Sequence, residues 1–186
     1  MYERTADRQC RRPGKVCDFT KDFAVCKETL ERIFALLQDL HRQVVYLKKS
    51  VPGFLVNRFA QALFRESLYL IEEGVTTAED IDRAVKYAIG MRYASIGLLE
   101  YFDAVGFELE RAIAENVYPD LCGTKRIQST VERGIVRGET GQAAGKGLYD
   151  WSGKDSEDFR RRKQSPYFSL VREWDMPRPA AEKYGE

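Results

Sequence analysis

The chain has few of the residues from which metal and acid–base sites are usually built. Its 186 residues include one histidine, His41, and no C-x-x-C pair. The four cysteines are Cys10, Cys17, Cys26 and Cys122. Because these spacings match no ordinary zinc site, no metal is expected, and reduced, structural or incidental thiols are the favoured interpretation.

Long apolar runs and excess charge of one sign are also missing. No run of about eighteen apolar residues occurs, so no transmembrane helix is predicted. The N-terminus has no apolar segment of the kind found in secretory signals, so a cytoplasmic location is expected. Lys and Arg total 30 against 29 Asp and Glu, a formal net charge of +1. Bulk attraction to nucleic acid or to a membrane is therefore not expected.

A nucleotide-binding glycine motif is likewise absent. Glycines gather between residues 134 and 147, but they fit neither G-x-x-x-x-G-K-[ST] nor a G-x-G-x-x-G between a strand and a helix. The favoured interpretation is a flexible crossing whose end is held by Tyr149 and Trp151. No cofactor-binding residue is therefore assigned.

The most informative stretch that is present begins at Val51. Pro52 and Gly53 predict a turn, and apolar residues then recur at helical spacing until Gly74, a typical glycine stop. Asn57 lies in the first turn of this helix. Its carboxamide can bond nearby backbone, which the isolated residue favours, or contact a substrate that carries a carbonyl and a hydroxyl.

Before this turn, the pattern changes from helix to strand. Residues 27–40 carry an apolar helical stripe, and residues 43–47 form a short strand. A single strand cannot form a sheet, so its partner must come from elsewhere, from another chain, or from the weakly patterned segment before it. Residues 1–26 are interpreted as a poorly specified tail.

After the turn, residues 54–134 read as consecutive helices. Thr77 is predicted to cap one that ends at Gly90, and Gly106 ends another. A further amphipathic piece covers residues 125–133 and is stopped by Gly134. The charged residues 152–186 are expected to add one helix before a proline-rich end.

Four sequence blocks, in order, resemble the L-3-hydroxyacyl-CoA dehydrogenase family. They are Val51-Pro52-Gly53-Phe54-Leu55-Val56-Asn57-Arg58, the span from Glu72-Glu73-Gly74 to Ala78-Glu79-Asp80-Ile81-Asp82, Gly90-Met91-Arg92-Tyr93-Ala94 with Gly97-Leu98-Leu99-Glu100, and Gly145-Lys146-Gly147-Leu148-Tyr149-Asp150-Trp151. Relatives of the lambda-crystallin and short hydroxy acid dehydrogenase type are also compatible. The sequence departs from the family pattern at Leu98, where a proline is usual, and at His41-Arg42, where a glycine-lysine turn is usual.

The resemblance implies a mainly α fold. Residues 51–151 would form the multi-helical C-terminal domain found in 6-phosphogluconate and 3-hydroxyacyl-CoA dehydrogenases. Residues 27–50 would be the last helix and strand of a Rossmann domain, between the tail of residues 1–26 and a charged extension of residues 152–186.

The resemblance also implies hydride transfer from a 3-hydroxyl group to NAD, with a histidine as general base. Asn57 then becomes a candidate substrate-binding residue, and Arg92 a weaker one that resembles relatives acting on free short hydroxy acids. His41 does not match the catalytic histidine, so no complete catalytic set is expected in this chain, and no cofactor is expected to bind it alone.

Three functional hypotheses follow. The chain is the substrate-side and dimerisation portion of such a dehydrogenase, inactive alone, which would meet 3-hydroxyacyl-CoA or a short hydroxy acid once a Rossmann domain is supplied. Alternatively, it is a non-catalytic oligomerisation or binding module that keeps the fold, or an unrelated helical regulatory protein. A homodimer through the apolar faces of helices 54–73 and 97–118 is expected.

Overall fold

The fold is taken from a computed structural model, which describes residues 16–20, 27–39 and 43–173. The chain divides into two compact units. One comprises the residues up to Ala60 together with those from Lys154 onward, and the other comprises Gln61–Gly153. The domain boundaries drawn from the sequence stay a prediction.

The first unit contains a strand–helix–strand segment. Strand β1 (Val16–Thr20) pairs in parallel with β2 (Gln43–Leu47), in a register that matches Val16 with Gln43. Helix α1 (Lys27–Asp39) connects them, as parallel strands require a crossover. Phe34 of α1 is buried and meets the Tyr46 ring edge-on, with centroids 6.2 Å apart. The predicted strand is confirmed, and its partner comes from the segment interpreted as a tail.

The predicted turn before the long helix is confirmed. The Phe54 amide donates to the Val51 carbonyl at 3.0 Å, with Pro52 and Gly53 (φ 80°) in the two central positions of a type II turn. Phe54 itself has φ 48°, a strained value for an aromatic residue. Helix α2 (Val56–Glu72) follows.

Gly74 ends helix α2 as expected. It has φ 69°, its amide donates to Ile71, and the Val75 amide donates to Leu70. This pair of hydrogen bonds is the Schellman arrangement, which satisfies carbonyls left open at the last turn.

The next helical segment is longer than the sequence indicates. Thr77 caps α3 (Ala78–Ala84) by accepting from the Asp80 amide, as predicted. The expected stop at Gly90 is wrong, because the chain continues as a π-helix (Val85–Gly90) and then as α4 (Met91–Ile96). A Cβ at position 90 would lie 3.0 Å from the Val85 carbonyl oxygen, so glycine permits the wide turn.

Three more helices complete the second unit. Helices α5 (Leu98–Val105) and α6 (Phe107–Val117) are separated by Gly106, where the predicted break is confirmed. After a 3-10 turn (Tyr118–Asp120) comes α7 (Ser129–Val136). The predicted helix 125–133 is wrong in its bounds, because α7 begins at Ser129 and passes through Gly134.

The first unit closes with helix α8 (Ser156–Glu173), and a 3-10 turn (Gln142–Ala144) precedes it in the second unit. Among the described side chains, the buried ones of the second unit are Leu68, Cys122 and Gln128. The mainly α fold class is confirmed. None of the described helices combines the length and apolar character needed to cross a membrane.

Candidate functional site

Asn57 lies in the first turn of α2, directly after the type II turn. Its side chain is exposed, and within the described residues its carboxamide has no hydrogen-bond partner. The neighbouring Arg58 side chain instead reaches back to the turn, where it donates to the Pro52 carbonyl at 3.4 Å. The carboxamide of Asn57 is therefore open to an external group that carries both a donor and an acceptor.

Arg92 belongs to the other compact unit. It lies on α4, where its guanidinium is 4.6 Å from the centroid of the Tyr101 ring. Tyr93 and Phe102 extend this aromatic group, with Tyr93 6.1 Å from Tyr101 and 6.3 Å from Phe102. Stacking on an aromatic face holds a guanidinium in one orientation and leaves its edge N–H groups available to a carboxylate.

Two carboxylates of α2 accept hydrogen bonds from the segment before α7 and from the first two residues of α7. Glu66 accepts from the Cys122 amide at 2.8 Å. Glu72 accepts from the Ser129 hydroxyl at 2.8 Å and from the Thr130 amide at 2.6 Å. The Thr130 amide, followed by the Thr130 and Ser129 hydroxyls, holds the pKa of Glu72 below its usual value. Glu72 thus caps a distant helix, a role that the sequence analysis missed because these partners lie more than 50 positions away.

Gln128 is the buried polar residue in this region. Its Nε2 donates to the Arg65 carbonyl at 2.8 Å and lies 3.8 Å from Sγ of Cys122. Cys122 is a free, buried thiol, which fits the structural role expected for it. His41 and the other three cysteines lie outside the side chains that the structure describes.

The glycine-rich segment forms a hydrogen-bonded loop. The Gly141 amide donates to the Lys146 carbonyl at 2.7 Å, and the Trp151 amide to the Gly145 carbonyl at 2.8 Å. Lys146 also bridges to Glu139 at 2.7 Å. These backbone bonds close the segment on itself, which the sequence analysis did not predict; its flexibility stays a prediction.

The end of the loop is held as expected, and by a specific bond. The Tyr149 hydroxyl donates to the Asp82 carboxylate of α3 at 2.7 Å. Partial burial, and then the hydrogen bond to Asp82, raise the pKa of Tyr149 above its ordinary value. The hydroxyl therefore stays protonated and keeps donating throughout the physiological range.

The residues present do not fit the pyrophosphate of NAD. Such a site needs a glycine-rich turn between a strand and a helix N-terminus. The six residues between β1 and α1 contain no glycine, and the only glycine between β2 and α2 is Gly53. The glycine-rich loop follows a helix instead of a strand. Among the described residues, no group of three or more His, Cys, Asp or Glu could hold a metal ion.

Comparison with known proteins relates this chain to one dehydrogenase family and to several of its relatives. A family model described as the 3-hydroxyacyl-CoA dehydrogenase C-terminal domain matches residues 53–151. The 5-formyl-3-hydroxy-2-methylpyridine 4-carboxylate 5-dehydrogenase of Mesorhizobium japonicum is 31% identical over 66% of this chain and 41% of its own length. An L-carnitine dehydrogenase of Oceanobacillus iheyensis is 32% identical over 45% of this chain and 27% of its own length. A lambda-crystallin homolog of Rattus norvegicus is 38% identical over 39% of this chain and 23% of its own length.

A solved structure extends the similarity to the fold. The crystal structure of a 5-formyl-3-hydroxy-2-methylpyridine 4-carboxylic acid 5-dehydrogenase, described as an NAD+ dependent dismutase, matches with a TM-score of 0.72 and 25% identity. The match covers 84% of this chain and 50% of that one. This chain thus spans half or less of the length of these relatives. Since the family model covers more than half of the chain, the protein belongs to the 3-hydroxyacyl-CoA dehydrogenase family, through the C-terminal domain of that family.

Proposed function

We propose that this chain supplies the substrate-side and dimerisation domain of an NAD-dependent dehydrogenase that oxidises a 3-hydroxyl to a 3-keto group. The observation that carries the proposal is the open carboxamide of Asn57, set at the start of α2 inside the segment that matches the family model. A carboxamide N–H aimed at the reacting oxygen stabilises the negative charge that develops there as the hydroxyl loses its proton. In this assignment Asn57 positions and polarises the substrate. A nucleotide-binding domain supplies the general base and holds NAD, the hydride acceptor.

The substrate class within this proposal has two candidates. The family model is described by a 3-hydroxyacyl-CoA activity. Two relatives are named for substrates that are not coenzyme A thioesters, L-carnitine and a pyridine carboxylate. The stacked guanidinium of Arg92 suits a free carboxylate, which supports a short hydroxy acid as the alternative.

The first expected result concerns activity. The purified chain alone should neither bind NAD nor reduce it in the presence of 3-hydroxybutyryl-CoA or L-carnitine, because the residues for the pyrophosphate are absent from the chain. When a nucleotide-binding domain from the Mesorhizobium relative is supplied separately, reduction of NAD should appear. Absorbance of NADH at 340 nm measures both cases.

Substitution at position 57 then tests the role of the carboxamide. In the reconstituted system Asn57→Ala should lower kcat/KM by roughly 10²–10³-fold, as loss of one oxyanion donor does. Asn116→Ala is the matched control, since within the part of the chain that the structure describes its side chain donates to the Ala112 carbonyl of its own helix and to no other group. Turnover by the chain alone, or equal rates for the two variants, would contradict the proposal.

The second part of the proposal is a homodimer. Leu109, Ile113 and Val117 recur every four residues along α6, and each side chain is 45–54% exposed. Leu99 on α5 and Phe107 at the start of α6 are 79% and 72% exposed. Apolar residues at helical spacing that remain this exposed are typical of a surface that a second copy covers.

Light scattering over a micromolar concentration series tests the dimer. The native chain should give twice its 21.4 kDa mass. Ile113→Glu should shift the equilibrium to the monomer, because it places a charge within the apolar stripe. Arg111→Gln on the same helix should not, since Arg111 is 79% exposed and its one ion pair among the described residues is with Glu115 at 3.8 Å. A monomeric mass at all concentrations would contradict the dimer.

The exposed apolar stripe also favours one alternative function. A non-catalytic oligomerisation module would show the dimer without any activity on reconstitution. The supplied nucleotide-binding domain therefore distinguishes the two hypotheses. A cytoplasmic location stays part of the proposal and is tested by cell fractionation.

A further inference from the structure

A cavity of about 630 Å³ lies within the second unit, between α7 and the glycine-rich loop. Its size is in the range of sites that hold small organic ligands, roughly 300–1,000 Å³. Its lining residues include two groups that matter for binding. One group is apolar, and the other consists of two arginines with their guanidinium groups.

The apolar wall comes from α2 and from the end of the loop. It includes Phe64, Leu148 and Trp151. Trp151 is held in place, since its amide donates to Gly145 and its ring meets the Tyr149 ring at 79° with centroids 6.4 Å apart. The hydrogen bond from Tyr149 to Asp82 attaches the same part of the loop to α3. The wall is therefore built before any ligand arrives.

The charged part of the lining comes from α7 and the residue that follows it. Arg133 of α7 and Arg137, the C-cap residue directly after Val136, both line the cavity, and their four-residue spacing places them on one side of the helix end. Arg133 is partly engaged, because it donates to the Ser129 and Thr130 hydroxyls at 2.7 and 3.2 Å. Within the described residues, the Arg137 side chain makes no hydrogen bond and no ion pair.

One carboxylate also lines the cavity, and it is already neutralised. Glu139 accepts from Nζ of Lys146 at 2.7 Å, and this bond holds the pKa of Glu139 below its ordinary value. Among the described lining residues, two arginines against one glutamate leave a positive formal charge. The charge of Arg137 also acts on Glu139, but within the described residues its guanidinium makes no hydrogen bond, so it can bind one carboxylate, and the apolar lining matches a hydrocarbon or aromatic body.

We propose that this cavity binds a small monocarboxylate with an apolar body, with Arg137 as the ligand for the carboxylate and Phe64, Leu148 and Trp151 as the contact for the body. The site uses no residue assigned to the proposed oxidation. It can therefore be correct or wrong independently of that function.

Fluorescence of Trp151 provides the test. The full chain carrying Trp174→Phe has Trp151 as its only tryptophan, and it is titrated with hexanoate or with hexanamide, its neutral isostere. Hexanoate should change the emission of Trp151 saturably, and hexanamide should bind about tenfold or more weakly, because a charge-assisted bond is lost. The hexanoate affinity should fall with added salt. This comparison needs no substitution in the site.

Variants then assign the charge to one residue. Arg137→Met keeps the apolar stem and should weaken hexanoate binding by about tenfold, with hexanamide unchanged. Arg137→Lys should give an intermediate affinity. Arg111→Met replaces an exposed arginine that does not line the cavity, and it should bind hexanoate as the unsubstituted chain does. Asn57→Ala should also leave hexanoate binding unchanged, which would show that this site is independent of the proposed oxidation.

Three outcomes would overturn the proposal. Hexanoate and hexanamide could bind equally, or Arg137→Met and Arg111→Met could have the same affinity. The change in emission could also follow protein concentration without added ligand, which would assign the cavity to contact between two copies of the chain.

Discussion

Replacing Leu68 by alanine is expected to lower the free energy of unfolding by roughly 2–5 kcal/mol. Leu68 is the one described side chain with no exposed surface. It lies in α2 between Glu66, which accepts from the Cys122 amide, and Glu72, which accepts from the first turn of α7. The substitution would remove buried methyl groups and leave a cavity at the point where these elements meet. Since a domain is stable by only about 5–15 kcal/mol, much of its stability is at stake.

Urea unfolding followed by circular dichroism measures this loss, at concentrations below self-association. Leu121→Ala is the matched control, because Leu121 belongs to the same unit but is 44% exposed. Its variant should lose less than half as much stability. Equal midpoints for the two variants would show that Leu68 does not hold the packing of the second unit.

Replacing Gly147 by alanine is expected to open the glycine-rich loop, at a cost of about 1–3 kcal/mol. An added Cβ would lie 2.8 Å from Cα and 3.1 Å from the amide nitrogen of Gly141. Both neighbours are backbone atoms, so no side chain can rotate away. The displacement would break the adjacent bonds, including those between Gly141 and Lys146 and between Gly147 and Tyr149.

Limited trypsin digestion detects the opening, because cleavage after Lys146 needs an extended, accessible loop. The rate of that cleavage, followed by mass spectrometry, should rise in Gly147→Ala. Gly123→Ala is the control, since a Cβ there meets nothing within 4 Å. If both variants were cut at the native rate, the close approach of Gly147 and Gly141 would not be what keeps the loop closed.

The local features of the fold were largely predictable. The Pro52-Gly53 turn, the Thr77 cap, the stop at Gly74 and strand β2 each depend on a few neighbouring residues. The predicted helix ends at Gly90 and Gly134 were wrong, because glycine at these positions serves close packing and does not end a helix. Gly90 and Gly134 lie inside helical segments, where an added Cβ would come within 3.0 and 3.2 Å of a backbone carbonyl oxygen, and the sequence shows only that a glycine is present.

The candidate site was predictable only in part. Asn57 was singled out by its place at a helix start and by the family resemblance. The cavity was not, because Phe64, Arg137 and Trp151 are spread over nearly 90 positions and no periodic pattern links them. The partner of strand β2 was likewise hidden, since β1 carries little apolar alternation of its own.

The sequence by itself determined the Pro52-Gly53 turn, the Thr77 cap and the Gly74 stop, which family the four blocks resemble, and that a dinucleotide fingerprint is absent. These features follow from short-range sterics, from backbone hydrogen bonding and from motif identity, all of which can be read within a few residues. The tertiary structure alone decided that Glu66 accepts a hydrogen bond from Cys122 across 56 positions, that Tyr149 donates to Asp82 across 67, and that two arginines line the same cavity as Phe64 and Trp151. Such contacts depend on how whole helices pack, because side chains far apart in the chain meet only after packing has brought them together.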